Sequence, residues 1–252
     1  MKIYRKIRSF LQPYFINNCI PDPVVNLNCT EFEVNNWIIS DFIVSRLIPI
    51  VGTHPYPLCE LMLMVSAVCK LKPTIIFEWG TNIGKSARIF HETSQYLHIN
   101  TLIHTIDLPR DKRHPQNLYS QRALYVIKSN HILLHEGDGL TTALRIWKNN
   151  SGNQTVLFFL DGDHSYASVR KELYGIVKNI PNAHILVHDT FYQSQKSGYN
   201  IGPYQAVQEF LRKHRSMYHV YTCNLGLPGM VLMVRKHSFI GRKAMKDRLQ
   251  YF

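Results

Sequence analysis

The run Val156-Leu-Phe-Phe-Leu-Asp-Gly-Asp-His-Ser-Tyr166 closes an apolar stretch with two carboxylates and an imidazole, Asp161, Asp163 and His164. A second apolar run, His184-Ile-Leu-Val-His-Asp-Thr190, closes with His188 and Asp189. Hard oxygen donors beside imidazole suit a divalent ion such as Mg²⁺ or Mn²⁺. A histidine beside a carboxylate can also move a proton. Each residue has a plainer use as well. Asp163 or Ser165 can cap the helix that starts there, and a histidine taken alone can be a solvated surface group. Convergence favours a site: neighbouring parallel strands bring these five side chains to one rim, where ligands of open α/β sheets bind.

A third segment shows what could be bound there. Thr74-Ile-Ile-Phe-Glu-Trp-Gly-Thr-Asn-Ile-Gly-Lys-Ser86 reads as a buried strand, an acid, a turn with Gly80 and Gly84, and a helix start, a cradle for a nucleotide-like ligand. A P-loop, G-x-x-x-x-G-K-S/T, would need glycine at Trp79, where the nest for phosphate depends on loop length. The dinucleotide fingerprint G-x-G-x-x-G lacks its second glycine at Asn82. What remains is E-x-G-x-x-x-G. Leu102-Ile-His-Thr-Ile-Asp107 follows, its acid 23 residues past Gly84, close to the spacing of a ribose-binding carboxylate; a turn or cap Asp would look the same. His131-Ile-Leu-Leu-His-Glu-Gly-Asp138 adds another short strand ending in Gly-Asp.

Glu78-x-Gly80-x-x-x-Gly84 resembles motif I of class I S-adenosylmethionine (SAM) methyltransferases. With Asp107, Leu160-Asp-Gly-Asp-His-Ser-Tyr166 and Val187-His-Asp-Thr190, residues 55 to 236 resemble one group of them: cephalosporin-hydroxylase-like proteins, rhamnosyl O-methyltransferases and macrolide sugar O-methyltransferases. That resemblance implies SAM as cofactor, bound by Glu78, Gly80, Thr81, Gly84, Ser86, Asp107 and, beside the adenine, Asp138. It implies O-methylation of a hydroxyl on a sugar, glycan or small natural product. It implies a metal set of Asp161, His188 and Asp189, with His188 standing where metal-dependent members have an acid, so a Mg²⁺ or Mn²⁺ requirement stays open. It gives His164, with Asp161, the role of catalytic base or orienting residue.

The elements that must hold these residues alternate strand and helix. The expected fold is α/β, Rossmann-like and doubly wound, with a mostly parallel sheet, an antiparallel C-terminal edge (Tyr218–Cys223 and Met230–Val234) and N-terminal helical elaboration. Helices are expected over Leu58–Lys70, Ala167–Lys178 and Pro203–Lys213, and the apolar stretch Trp37–Ile50 is expected to cover the sheet. Residues 1–54 read as a basic helix, linker and covering helix, 55–236 as the methyltransferase domain, and 237–252 as a basic tail. The tyrosine-bearing loop Phe191–Gly202 leaves the rim of the site and is the place to look for acceptor contacts.

At 252 residues and 45% hydrophobic the chain can bury one sizeable core. Its formal charge is +12, yet residues 1–10 and 235–252 hold ten Lys and Arg against one acid, Asp247. Basic ends around a nearly neutral body argue against a nucleic-acid cleft and permit peripheral contact with an anionic membrane. The apolar face Ile3, Ile7, Phe10 and Leu11 would also serve packing on the domain or a homo-oligomer. Five scattered cysteines, no C-x-x-C, no signal-peptide pattern and no apolar run of about 18 residues point to a cytoplasmic enzyme. The rival readings are a P-loop-like nucleotide-binding protein and a non-catalytic SAM- or nucleotide-binding module.

Overall fold

The computed structural model describes residues 36–109, 121–149, 154–194, 196 and 200–236. The basic N-terminal segment, the linker, Tyr199 and the basic tail lie outside them. Seven strands form one sheet: β1 (Ile75–Trp79), β2 (Leu102–Asp107), β3 (Ile132–Glu136), β4 (Val156–Leu160), β5 (His184–His188), β6 (Tyr218–Cys223) and β7 (Met230–Arg235), in the order β3-β2-β1-β4-β5-β7-β6. β1 to β5 run parallel, and β7 pairs antiparallel with both β5 and β6. The doubly wound sheet and its antiparallel C-terminal edge are as expected; β7 is tucked inside, leaving β6 outermost.

β1, β4 and β5 are buried along their whole length, because helices cover both faces of a parallel sheet. One face packs on α2 (Leu58–Leu71) and α3 (Lys85–Tyr96), whose Leu61, Met64, Ile89 and Phe90 meet Ile76, Ile103, Leu157 and Leu186. The other face packs on α4 (Gly139–Lys148), α5 (Tyr166–Asn179) and α6 (Gly202–His214), where Leu173, Ile176 and Phe210 meet Phe77, Phe158 and Ile185. Phe77 and Phe158 stack at 5.2 Å between ring centres. Each such buried side chain contributes about 1.5–3 kcal/mol by leaving water.

Residues 36–51 form α1, an α-helical stretch Asn36–Phe42, a π-helical turn Ile43–Leu47 and a last turn Ile48–Val51. It covers α2 and α3 instead of the sheet: Phe42 stacks on Tyr96 at 4.4 Å, since those helices already occupy that face. Its Ile39, Ile43 and Leu47 join the same core as the sheet residues.

The strand order reverses between β1 and β4, so the crevice outside their carboxyl ends is the topological switch point. Gly80 makes the close approach there possible. Its φ is 92°, and a Cβ on it would stand 1.9 Å from the Asp161 carbonyl oxygen. Ser165 caps α5, accepting from Ser168 N–H at 3.3 Å. No described helix is long and apolar enough to cross a membrane.

Candidate active site

A cleft of about 1010 Å³ opens at the carboxyl ends of the parallel strands. That volume lies at the upper end of the usual range for a small-ligand site.

At one end the β1–α3 turn forms the wall. Gly80, Thr81 and Ser86 line it, and Thr81 Oγ1 is 2.6 Å from Thr105 Oγ1. Gly84 is not in the wall. It takes φ 83° at the start of α3, where a Cβ would meet Val126 Cγ2 at 2.5 Å. Glu78 lies beneath the wall, 1% exposed, with neither carboxylate oxygen hydrogen-bonded. Burial pushes its carboxyl up to about 7, against the pull of the nearby Thr105 and Ser86 hydroxyls. The reason is strand alternation: residue 78 points to the α2–α3 face, while the turn after it reaches the cleft.

Asp107, at the end of β2, faces the cleft and is pinned. Its Oδ2 accepts from Asn82 N–H at 3.1 Å, its Oδ1 from Leu108 N–H at 2.8 Å, and Arg122 stands 3.2 Å away. Arg122 also reaches Glu136 at 3.6 Å and bonds the Leu108 carbonyl, tying the ends of β2 and β3. Asp138 lines the cleft and caps α4, accepting from Thr141 N–H at 2.8 Å. Burial works to raise its carboxyl, but the Thr141 bonds and Lys171 hold it below the usual range. The Trp79 indole also lines the cleft, hemmed by two glycines; a Cβ on Gly139 or Gly162 would meet the ring at 2.5 or 3.0 Å. A flat aromatic floor beside Asp138 was foreseeable only from β1's direction, since Trp79 in sequence served solely to exclude a P-loop.

At the other end four of the five convergent residues meet. His188 Nδ1 is 2.9 Å from Asp161 Oδ1, and His164 Nδ1 is 2.9 Å from Asp189 Oδ2. His164 Nε2 stands 3.4 Å from Asp161 Oδ1, an ion-pair distance without hydrogen-bond geometry. Asp163 does not join them; its carboxylate turns to Ser165 N–H at 2.9 Å, a use set by the helix start beside it. Two partners come from distant sequence. Tyr56 donates to Asp161 Oδ2 at 2.6 Å, and Glu60 Oε2 is 3.0 Å from His188 Nε2. The Glu60 carboxylate is 1% exposed.

Both His188 ring nitrogens face carboxylates, Asp161 on Nδ1 and Glu60 on Nε2. Of the expected metal residues, Asp161 and Asp189 group with His164, each offering an atom within 4.8 Å of the others. Two carboxylates and an imidazole fit Mg²⁺ or Mn²⁺ chemically. The charge balance is equally specific. Burial raises Asp161, but His188 and His164 outweigh it and hold the carboxyl well below the carboxylate range. Burial lowers His164, but Asp161 and Asp189 outweigh it and lift the ring to about 10. His164 is therefore an imidazolium at neutral pH when the site holds no other cation.

The described part of the Phe191–Gly202 loop does not line the cleft. Tyr192 is 63% exposed and packs edge-on against Tyr204 at 5.1 Å. The start of α6 packs against the backbone after β4: a Cβ on Gly202 would lie 2.4 Å from the His164 carbonyl oxygen. The mouth beside Asp161 is framed by His54, Pro55 and Pro57 on one side and Leu227 and Pro228 on the other.

The chain matches the family model described as rhamnosyl O-methyltransferase/CmcI over residues 54–232. No curated protein sequence matches it. Among solved structures it resembles an O-methyltransferase from Bacillus cereus bound to SAH (14% identity, TM-score 0.55, covering 82% of this chain and 100% of that one). It also resembles an SAH-bound methyltransferase from Podospora anserina (17%, 0.51, 92% and 96%). A third is a TDP-rhamnose 3'-O-methyltransferase of calicheamicin biosynthesis (16%, 0.50, 88% and 97%). At these identities the likeness is one of fold.

Proposed function

Because the chain belongs to the rhamnosyl O-methyltransferase/CmcI family and is a SAM-dependent O-methyltransferase, we propose that it methylates a hydroxyl of a sugar or sugar-bearing natural product at the Asp161–His164–Asp189 ledge. The observation that supports this reading is that one cleft is lined both by the glycine turn and Asp107 and by that ledge. In this reading the Gly80–Ser86 turn takes the amino-acid end of SAM, Asp107 accepts from the ribose hydroxyls, and Trp79 and Asp138 flank the adenine. Glu78, buried under the turn with its carboxyl pushed up to about 7, ionises once an ammonium group lies above it and then supplies the balancing negative charge.

Methyl transfer is an in-line displacement at carbon, with sulfur leaving and a hydroxyl oxygen attacking. Much of the rate comes from holding the three atoms in line, which the rigid strand ends and the Tyr56 and His188 bonds to Asp161 serve. The hydroxyl must also lose its proton. His164 can take it only after giving up its own, and the positive sulfonium in the same cleft works in that direction. Asp161, His164 and Asp189 are the residues that would hold a divalent ion. Such an ion, when bound, supplies Lewis acidity that lowers the hydroxyl's pKa. Among the described residues Cys59, Cys69 and Cys223 form no disulfide, which supports a reducing, cytoplasmic setting.

The test is a thermal-shift comparison of SAM, its demethylated product and ATP, followed by transfer of a labelled methyl group to rhamnosylated and non-glycosylated acceptors. Stabilisation by SAM and product but not ATP, with label on the sugar, is the expected result. Stabilisation by ATP alone would favour the nucleotide-binding reading, and SAM binding without transfer to any hydroxyl would favour a non-catalytic module.

A further inference from the structure

Glu60 lies in the first turn of α2, away from every sequence motif of the site, yet it is 1% exposed. A buried carboxylate is costly unless its oxygens are bonded. Both are: Oε2 faces His188 Nε2 at 3.0 Å, and Oε1 accepts from Gly229 N–H at 2.7 Å. The first contact continues through the ring to Asp161, since His188 Nδ1 is 2.9 Å from Asp161 Oδ1. The second holds the turn before β7. That turn is also bonded to the strand-end loop, Thr190 N–H to Gly229 O at 3.1 Å and Phe191 N–H to Pro228 O at 3.0 Å. Its Leu227 and Pro228 frame the mouth of the cleft.

We infer that Glu60 is a positioning residue for methyl transfer: one buried carboxylate that sets the His188 ring, and through it Asp161, and that fixes the Leu227–Pro228 side of the mouth to the same anchor. An imidazole with a carboxylate on each nitrogen has one ring orientation. Asp161 is then held by His188 on one oxygen and Tyr56 on the other. The inference rests on the proposed function for its kinetic consequence but not for its geometric one.

Two variants and two readouts test it. In Glu60→Ala the ring loses its Nε2 partner and the turn loses an acceptor. The expected result is a fall in kcat of about tenfold to a hundredfold with KM for SAM within about threefold of wild type, because the β1–α3 turn is untouched. In Glu60→Gln the amide oxygen can accept from Gly229 and the amide NH₂ can donate to an unprotonated His188 Nε2, which keeps Nδ1–H on Asp161. That variant should return kcat to within about tenfold of wild type. The second readout uses ¹⁵N-histidine-labelled full-length protein. Glu60→Ala should abolish the hydrogen-bonded Nε2–H signal of His188 and shift its Nδ1–H signal, while Glu60→Gln should retain the Nδ1–H signal. An unchanged Nδ1–H signal in Glu60→Ala overturns the inference, as does wild-type kcat in that variant. A parallel loss of SAM affinity and kcat in both variants also overturns it, by marking a general folding defect. Should the wild type fail to bind SAM, the proposed function falls and the nuclear magnetic resonance arm still decides whether Glu60 sets the ring.

Discussion

His164 occupies the residue at which chemistry and charge pull apart. Two carboxylates lift its ring to about 10, so the base the family resemblance implies is protonated in the empty site. Folded His164 thus binds its proton more tightly than the unfolded residue, with its ordinary value of 6.5. The stability it contributes is complete below about pH 6.5 and is lost as pH rises toward about 10. Thermal melts of the SAM-free, metal-free protein should show that decline between pH 7 and pH 10, and His164→Gln should flatten it. In turnover, His164→Ala should cost roughly two to four orders of magnitude in kcat; near-full activity would remove it as base. Chelation by EDTA separates the remaining alternatives at the same three side chains. Lost activity restored by Mg²⁺ or Mn²⁺ supports an ion at Asp161, His164 and Asp189, and full activity in EDTA leaves proton transfer to the protein alone.

Elements explain why those residues meet. Parallel β4 and β5 deliver Asp161 and His188–Asp189 side by side, one residue past the Leu160–Val187 pair, while Glu78 sits two residues lower, opposite Phe159. The β1–β4 approach leaves room only for glycine at 80. Gly80→Ala should cost about 3 kcal/mol or more from the positive φ and the 1.9 Å clash. That corresponds to a melting temperature roughly 6–12 °C lower; a variant melting like wild type would show that the strand ends can part. A second element-scale effect lies between β2 and β3, where His104 Nδ1 and His135 Nε2 are 2.9 Å apart. Burial, then His135, lower His104 to about 4. The folded state therefore resists protonation that the unfolded chain accepts. Stability is complete above about pH 6.5 and is lost as pH falls toward 4. Wild-type melting temperature should drop across that window by more than that of His104→Leu.

At the scale of the whole molecule, the cleft at the strand ends is where ligand binding would show. SAM at a hundred times its Kd should stabilise the chain by about 2.7 kcal/mol, a rise of roughly 5–11 °C in melting temperature. No rise with SAM would remove the premise on which the site assignments rest. The charge excess is a separate whole-chain feature. It sits mainly in residues 1–10 and 235–252, leaving the body that carries the cleft nearly neutral.

Sequence alone determined the strand–helix alternation, the glycine turn and the acids at strand ends, because those signals are local. Burial runs, turn chemistry and spacing are written within a dozen residues of one another. Only the tertiary structure decided which side chains touch. Tyr56 reaches Asp161 across 105 positions and Glu60 reaches His188 across 128. Asp163, adjacent to the motif, turns to its own helix instead. Glu78, Asp161 and His188 were visible as strand-end residues, but which oxygen faces which nitrogen, and so the protonation of His164 and the pairing of both His188 nitrogens with carboxylates, depends on helices packed over the sheet. Hydrogen-bond partners brought together by packing leave no periodic trace in the chain.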